Sequence, residues 1–145
     1  MFEREINKAN ASVLELEATV TNLPKVLQFI DSNLEAAGCS LKTQMQIDIA
    51  VEEWFVNIAH YAYGDSTGMA TVLMEVKGDP AAAYIQFVDK GIPYDPLAKA
   101  DPDVTLSAEE RKIGGLGIYL IKNTMDDVIY EYKDGHNMLT IIKTI

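Results

Sequence analysis

The chain has 145 residues, 48% of them hydrophobic and 23% charged, and carries a formal net charge of −10 from 22 acidic and 12 basic side chains. That mixture suits one soluble domain built on one core. It excludes binding to a nucleic-acid backbone as the main task, because such binding needs clustered Lys and Arg. A single cysteine, Cys39, rules out an intrachain disulfide, and two histidines make a protein-built zinc site unexpected.

An acidic surface suits a basic protein partner, and it also serves solubility. No apolar run approaches the roughly 20 residues that span a bilayer. The opening MFEREINKAN is too charged for a signal peptide. A cytoplasmic protein with no membrane association is therefore expected.

Residues 1–10 are polar and read as a flexible end, and no linker divides 1–145, so a single domain is expected. In SVLELEATV, Leu14, Leu16, Ala18 and Val20 alternate with polar residues, which predicts a strand with one buried face. Thr21 and Asn22 offer an N-cap, Pro24 suits a first helical turn, and Leu23 to Ala37 reads as a helix ended by Gly38.

Ser40 to Tyr63 is a long two-faced helix capped by Ser40. Ile47, Val51, Trp54, Ile58 and Ala62 form its apolar stripe. Gln46, Glu53, Asn57 and His60 fall on another face, and Glu53 and Asn57 stand one turn apart. Neither Lys nor Arg occurs between Ile47 and Tyr63, so this is not the Lys/Glu mixture of an ordinary solvated face. Read alone, it is still an amphipathic core helix with a wet side.

Residues 69–77 and 83–89 read as a hairpin around Gly78-Asp79-Pro80. From Lys90 to Ile113 the periodicity is lost, and a loop that long in a compact domain is usually functional. Gly114-Gly115-Leu116-Gly117 opens a helix. Val128, Tyr130 and Tyr132 then alternate, Asp134-Gly135 signals a tight hairpin turn, and 137–143 returns as a strand. Hairpin-joined strands and intervening helices predict an α+β fold, a two-layer sandwich with a largely antiparallel sheet.

Three separated segments carry chemistry. Asp89 ends an apolar strand, so its carboxylate needs donors, and the exocyclic amine of adenine is one. Gly91 allows close backbone approach to a flat ring. The plainer reading of Asp89 is a strand end turning into a loop. The glycines at 114, 115 and 117 open a helix, whose free N–H groups and dipole favour phosphate. Close helix packing is the alternative use for them. Asn57 offers Mg²⁺ a hard oxygen, and Glu53 offers a base for a hydroxyl or water. His60 reads as a helix residue near the site, and His136 as a solvated turn neighbour.

Glu53-x-x-x-Asn57, Asp89-x-Gly91 and Gly115-x-Gly117, in this order, resemble the N, G1 and G2 boxes of the GHKL superfamily of ATPases and kinases, which has the Bergerat fold. From about residue 10 to 145 the chain is similar to the anti-sigma-factor serine/threonine kinases, most closely in EEWFVNIAHYAY, FVDKGIPYDP and GGLGIYLIKNTMDDVIYEYKDGHNMLTIIK.

The resemblance implies a mostly antiparallel mixed sheet covered on one face by about three helices. It implies Mg-ATP as ligand and phosphorylation of a serine on a STAS-domain anti-anti-sigma protein. A sigma factor or other regulator is the implied second partner, in a partner-switching control of transcription, with a homodimer paired near the first strand. By position, Glu53 would be the general base and Asn57 the Mg²⁺ ligand. Asp89 would read the adenine amine with Gly91 beneath the ring. Residues 92–113 would form the ATP lid, Arg111 or Lys112 would face the γ-phosphate, and Gly114, Gly115 and Gly117 would meet the phosphates. The chain departs from the family at Tyr61, where relatives often carry His. Two other readings stand: a non-catalytic ATP-binding regulator of the same fold that sequesters a partner, and a detached histidine-kinase ATPase domain. Against the last, no helix with a phosphorylatable histidine precedes the ATP-binding region.

Overall fold

The computed structural model describes residues 5–98 and the chain from 115 to 145, with side chains from 117 in the second stretch. Five strands, β1 (Ser12–Glu17), β2 (Met69–Lys77), β3 (Ala82–Asp89), β4 (Asp127–Lys133) and β5 (His136–Thr144), form one sheet in the order β1-β2-β3-β5-β4. Every pairing among the described residues is antiparallel, so the expected sheet contains no parallel pair there. The helices are α1 (Leu23–Ala36), α2 (Leu41–Tyr61) and α3 (Gly115–Thr124).

The alternation within each strand explains the layering. Val72 and Met74 of β2, Ile85 and Phe87 of β3 and Leu139 and Ile141 of β5 share a core with Val26, Ile30 and Leu34 of α1, Ile47, Val51, Phe55 and Ile58 of α2, and Ile121 of α3. The opposite sheet face carries Ala82, Tyr84 and Ile142, against which Ile6 and Ile129 pack. Gln86 donates to Thr140 there at 3.1 Å. The Asn7 N–H reaches Glu75 at 3.1 Å, and Lys77 bonds the Glu5 carbonyl. Of the stretch expected to be flexible, residues from Glu5 onward thus lie along this outer face.

Local chemistry sets the element ends. The Ser40 hydroxyl accepts from the Thr43 N–H, so the predicted cap forms. After α1, Gly38 has φ +76°, with Gly38 N–H bonded to Glu35 O and Cys39 N–H to Leu34 O, a Schellman ending. The expected cap at the start of α1 does not form through a side chain. Asn22 instead donates its amide to Glu17 O at 2.9 Å, Thr21 pairs with the Thr19 hydroxyl, and Val20–Asn22 is a 3₁₀ turn. The first strand accordingly stops at Glu17 rather than Val20. Asp134 and Gly135 both have positive φ, the two-residue hairpin geometry that Asp-Gly favours.

Between α1 and α2 lies an acidic pair. Asp31 and Asp48 each have a buried Oδ1 that finds no donor. Burial pushes the Asp48 carboxyl up from 3.8 to about 7, helped by its bond to Asp31 and by the charges of Asp31, Glu35 and Glu52. A proton on Asp48 lets that carboxyl donate to Asp31. The folded protein retains that proton where the unfolded chain has lost it, so this pair's contribution to stability is greatest at low pH and falls as pH rises toward about 7. Asp48→Asn supplies a permanent donor. Its melting temperature relative to wild type is expected to rise between pH 5 and pH 8. A difference independent of pH in thermal melts contradicts this.

Candidate nucleotide site

A cavity of about 550 Å³ opens where the C-terminal half of α2 meets the exit of β3. Trp54, Ile58, Tyr61, Ala62, Ile92, Pro93 and Tyr94 give it apolar walls, and Asn57, Asp89 and Asn137 are its polar lining. Its size and mixture are those of a small-molecule site.

Helical spacing places the α2 contributions. Trp54 and Ile58 stand four apart and face inward, and Asn57 lies beside them on the half-buried flank. The Trp54 ring stacks with Tyr94, centroids 6.3 Å apart and planes 10° from parallel. The residue read only as core therefore also forms an aromatic wall.

Asp89 is 4% exposed, at the last register position of β3 opposite Asn137. Its Oδ1 accepts from the Gly91 N–H at 2.9 Å and from the Asn137 amide at 3.0 Å. Its Oδ2 makes no hydrogen bond among the described residues. An unpaired oxygen on a carboxylate that lines the cavity favours a donor from a ligand.

Gly91 also makes a close contact within the fold. Its backbone presses on the end of α2, where an added Cβ would collide with the Ala62 carbonyl, and the next residue, Ile92, donates its N–H to that carbonyl at 2.8 Å. Its smallness serves this contact between loop and helix end. Gly91→Ala is expected to cost about 1–3 kcal/mol of stability in denaturant unfolding, the usual range for overpacking. An unchanged midpoint counts against the close contact.

Tyr63 ties the same corner together. Its hydroxyl donates to Met69 O at 2.5 Å and accepts from Lys90 N–H at 2.9 Å. The bare Gly68 leaves room for its ring. Burial, with the nearby charge of Asp89, raises its pKa against the lowering bond from Lys90, so the phenol stays protonated.

The third motif meets α2 one turn before Asn57. A Cβ on Gly117 would lie 2.5 Å from Glu53 Oε2, so the first turn of α3 packs on the Glu53 carboxylate. Gly115 begins α3. Asn57 and Asp89 thus share a cavity, while Glu53 and Gly117 touch each other. Arg111, Lys112 and Gly114 lie outside the described residues, as does the expected lid beyond Ala98. His60 is exposed, its ring edge-on to Tyr61, and His136 Nδ1 lies 2.8 Å from Asp134 O beside the hairpin.

Asn137 and Tyr130 were not singled out by sequence. Asn137 is 4% exposed and gathers the loop after β3, donating to Ile92 O at 2.9 Å and lying 3.4 Å from Gly91 O. Its Oδ1 accepts from the Tyr94 N–H at 3.1 Å and from the Tyr130 hydroxyl. The available signal was an amide two residues after the Asp134-Gly135 turn, near the start of a strand.

Among the described residues, no cluster of three or more His, Cys, Asp or Glu could hold a metal. No helix among them is long and apolar enough to cross a membrane.

Comparison with known proteins agrees with this architecture. Residues 16–143 match the histidine kinase-like ATPase domain. The chain is 23% identical over 135 residues to the serine/threonine-protein kinase BtrW of Bordetella bronchiseptica, covering 92% of this chain and 93% of BtrW. It is 33% identical over 104 residues to the serine-protein kinase RsbW of Listeria monocytogenes, covering 68% of this chain and 65% of RsbW, just under two thirds of that protein. The crystal structure of the RsbU and RsbW domains of Rv1364c from Mycobacterium tuberculosis superposes with a TM-score of 0.63 at 15% identity, over 91% of this chain and 32% of that one. A chain of the SiaB–SiaC complex from Pseudomonas aeruginosa gives 0.56 at 18% identity, over 91% and 89%.

Proposed function

The chain belongs to the histidine kinase-like ATPase domain family, and from that premise we propose that it is an ATP-dependent protein serine/threonine kinase of the anti-sigma-factor type. The observation that carries the proposal is the meeting of Asn57 and Asp89 in one cavity, with Glu53 one turn away against Gly117. The names of BtrW and RsbW support the reaction class.

Each residue has a task suited to its place. Asp89 Oδ2 accepts a hydrogen bond from the adenine amine, and Trp54, Ile58 and Tyr94 supply apolar walls for a base. Gly115 and Gly117 let phosphates approach the start of α3, where N–H groups and the dipole favour negative charge. The donor set fits Mg²⁺ only together with nucleotide: Asn57 gives one hard oxygen, and phosphates and waters complete the shell. Mg²⁺ when bound would neutralise charge on the transferred group. Arg111 or Lys112 would add a cation from the lid.

Transfer needs a bond from the acceptor serine Oγ to the γ-phosphorus, while the bond from that phosphorus to the ADP oxygen breaks. The serine proton goes to the Glu53 carboxylate. The acceptor is a serine on a STAS-domain anti-anti-sigma protein, and a sigma factor or other regulator is the competing partner. The edge position of β1, with Val13 exposed, suits a homodimer contact. Incubation with radiolabelled Mg-ATP and a STAS-domain protein tests the proposal. Label on a serine of that protein is expected. Nucleotide binding without transfer would instead favour a sequestering regulator.

A further inference from the structure

We propose that Asn137, keyed by the Tyr130 hydroxyl, is a positioning residue that sets the hydrogen-bond polarity of the base pocket and makes it select a 6-amino purine over a 6-oxo purine. The inference rests on the reading of Asp89 as the base-binding carboxylate and extends it to the residues that hold that carboxylate in place.

Donors and acceptors around one buried amide fix its orientation. On its oxygen side Asn137 faces the Tyr94 N–H, which can only donate, and the Tyr130 hydroxyl. On its nitrogen side it faces the Asp89 carboxylate and the carbonyls of Ile92 and Gly91, which only accept. Turning the amide over would set oxygen against three acceptors and nitrogen against a donor, so one orientation is enforced. Burial, and the charges of Asp95 and Asp89, raise the Tyr130 pKa against the lowering bond from Tyr94, which keeps its hydroxyl protonated.

The consequence reaches the cavity through Asp89. The Asn137 and Gly91 N–H groups occupy Oδ1, which pins the carboxylate and leaves Oδ2 to the ligand. An adenine amine donates to that oxygen. The 6-oxo group of hypoxanthine offers a second acceptor, leaving a buried polar group unmatched. Strand β4, an edge strand two places from β3 in the sheet order, thereby bears on base choice through Tyr130.

Calorimetric titration of the full chain with Mg-ATP and with Mg-ITP, which differ at the C6 group and the adjoining N1 proton of the base, reads the effect directly. Wild type is expected to prefer ATP by about ten- to a hundredfold, the worth of one unmatched buried group. Asn137→Ala is expected to bring the two affinities within about threefold of each other, and Tyr130→Phe to lower the preference by about threefold. A general loss of packing would weaken both nucleotides together and leave their ratio intact. Tyr130→Phe deletes only the hydroxyl, so it keeps the test open if Asn137→Ala fails to fold. Wild-type preference with an unchanged ratio in the folded variants overturns the role of Asn137 and Tyr130 and leaves the nucleotide reading standing. Failure of wild type to bind either nucleotide overturns both.

Discussion

Glu53→Gln is expected to hold Mg-ATP affinity within about threefold of wild type and to lower phosphoryl transfer to an acceptor serine by about 10²–10⁴-fold, the usual worth of a positioned general base. The substitution keeps size and shape but removes the proton acceptor. Glu53 sits half-buried on α2, outside the cavity lining, and touches Gly117 at the opening of α3. It therefore stands at the junction of base pocket and helix N-terminus, where an acceptor hydroxyl would approach. Parallel calorimetry and single-turnover transfer assays check the two halves separately. Transfer at the wild-type rate would remove Glu53 from the role of base. Loss of ATP binding would make its role one of assembling the pocket.

Asp89→Asn is expected to weaken ATP binding by about ten- to a hundredfold, equivalent to one hydrogen bond to a charged group at about 1.5–3 kcal/mol. The amide oxygen can keep the bonds from Gly91 and Asn137. Its nitrogen then stands in place of Oδ2 and meets the adenine amine donor to donor. Because the fold-side bonds survive, the melting temperature is expected to change little. An ATP affinity equal to wild type, measured by calorimetry, contradicts the assignment.

The sequence made local features legible and left non-local ones hidden. Ser40 as cap, Gly38 as helix stop, Asp134-Gly135 as turn and the two-faced α2 are written within a few residues, and each forms as expected. Asn22 misled because its amide has a nearer use on Glu17 O than on the helix it precedes. Asp89, Asn57 and Glu53 were singled out as candidates because their order and spacing resemble a family pattern. Asn137 and Tyr130 escaped because their contacts depend on strand pairing: the β3–β5 register joins residues 48 positions apart in the Asp89–Asn137 bond, and the β4–β5 pairing brings Tyr130 to Asn137. Gly91 was singled out for close approach to a flat ring, and its contact with the end of α2 is a long-range one that its neighbours in sequence do not signal. Tyr130 read as an ordinary strand residue, since alternation identifies a face but not what stands across it.

The central claim is that segments far apart in the chain close around one adenine nucleotide. Titration of Mg-ATP into the folded wild-type protein, followed by calorimetry, tests it most directly. The account predicts saturable heat at one site per chain. A flat trace from protein that still unfolds cooperatively would contradict it.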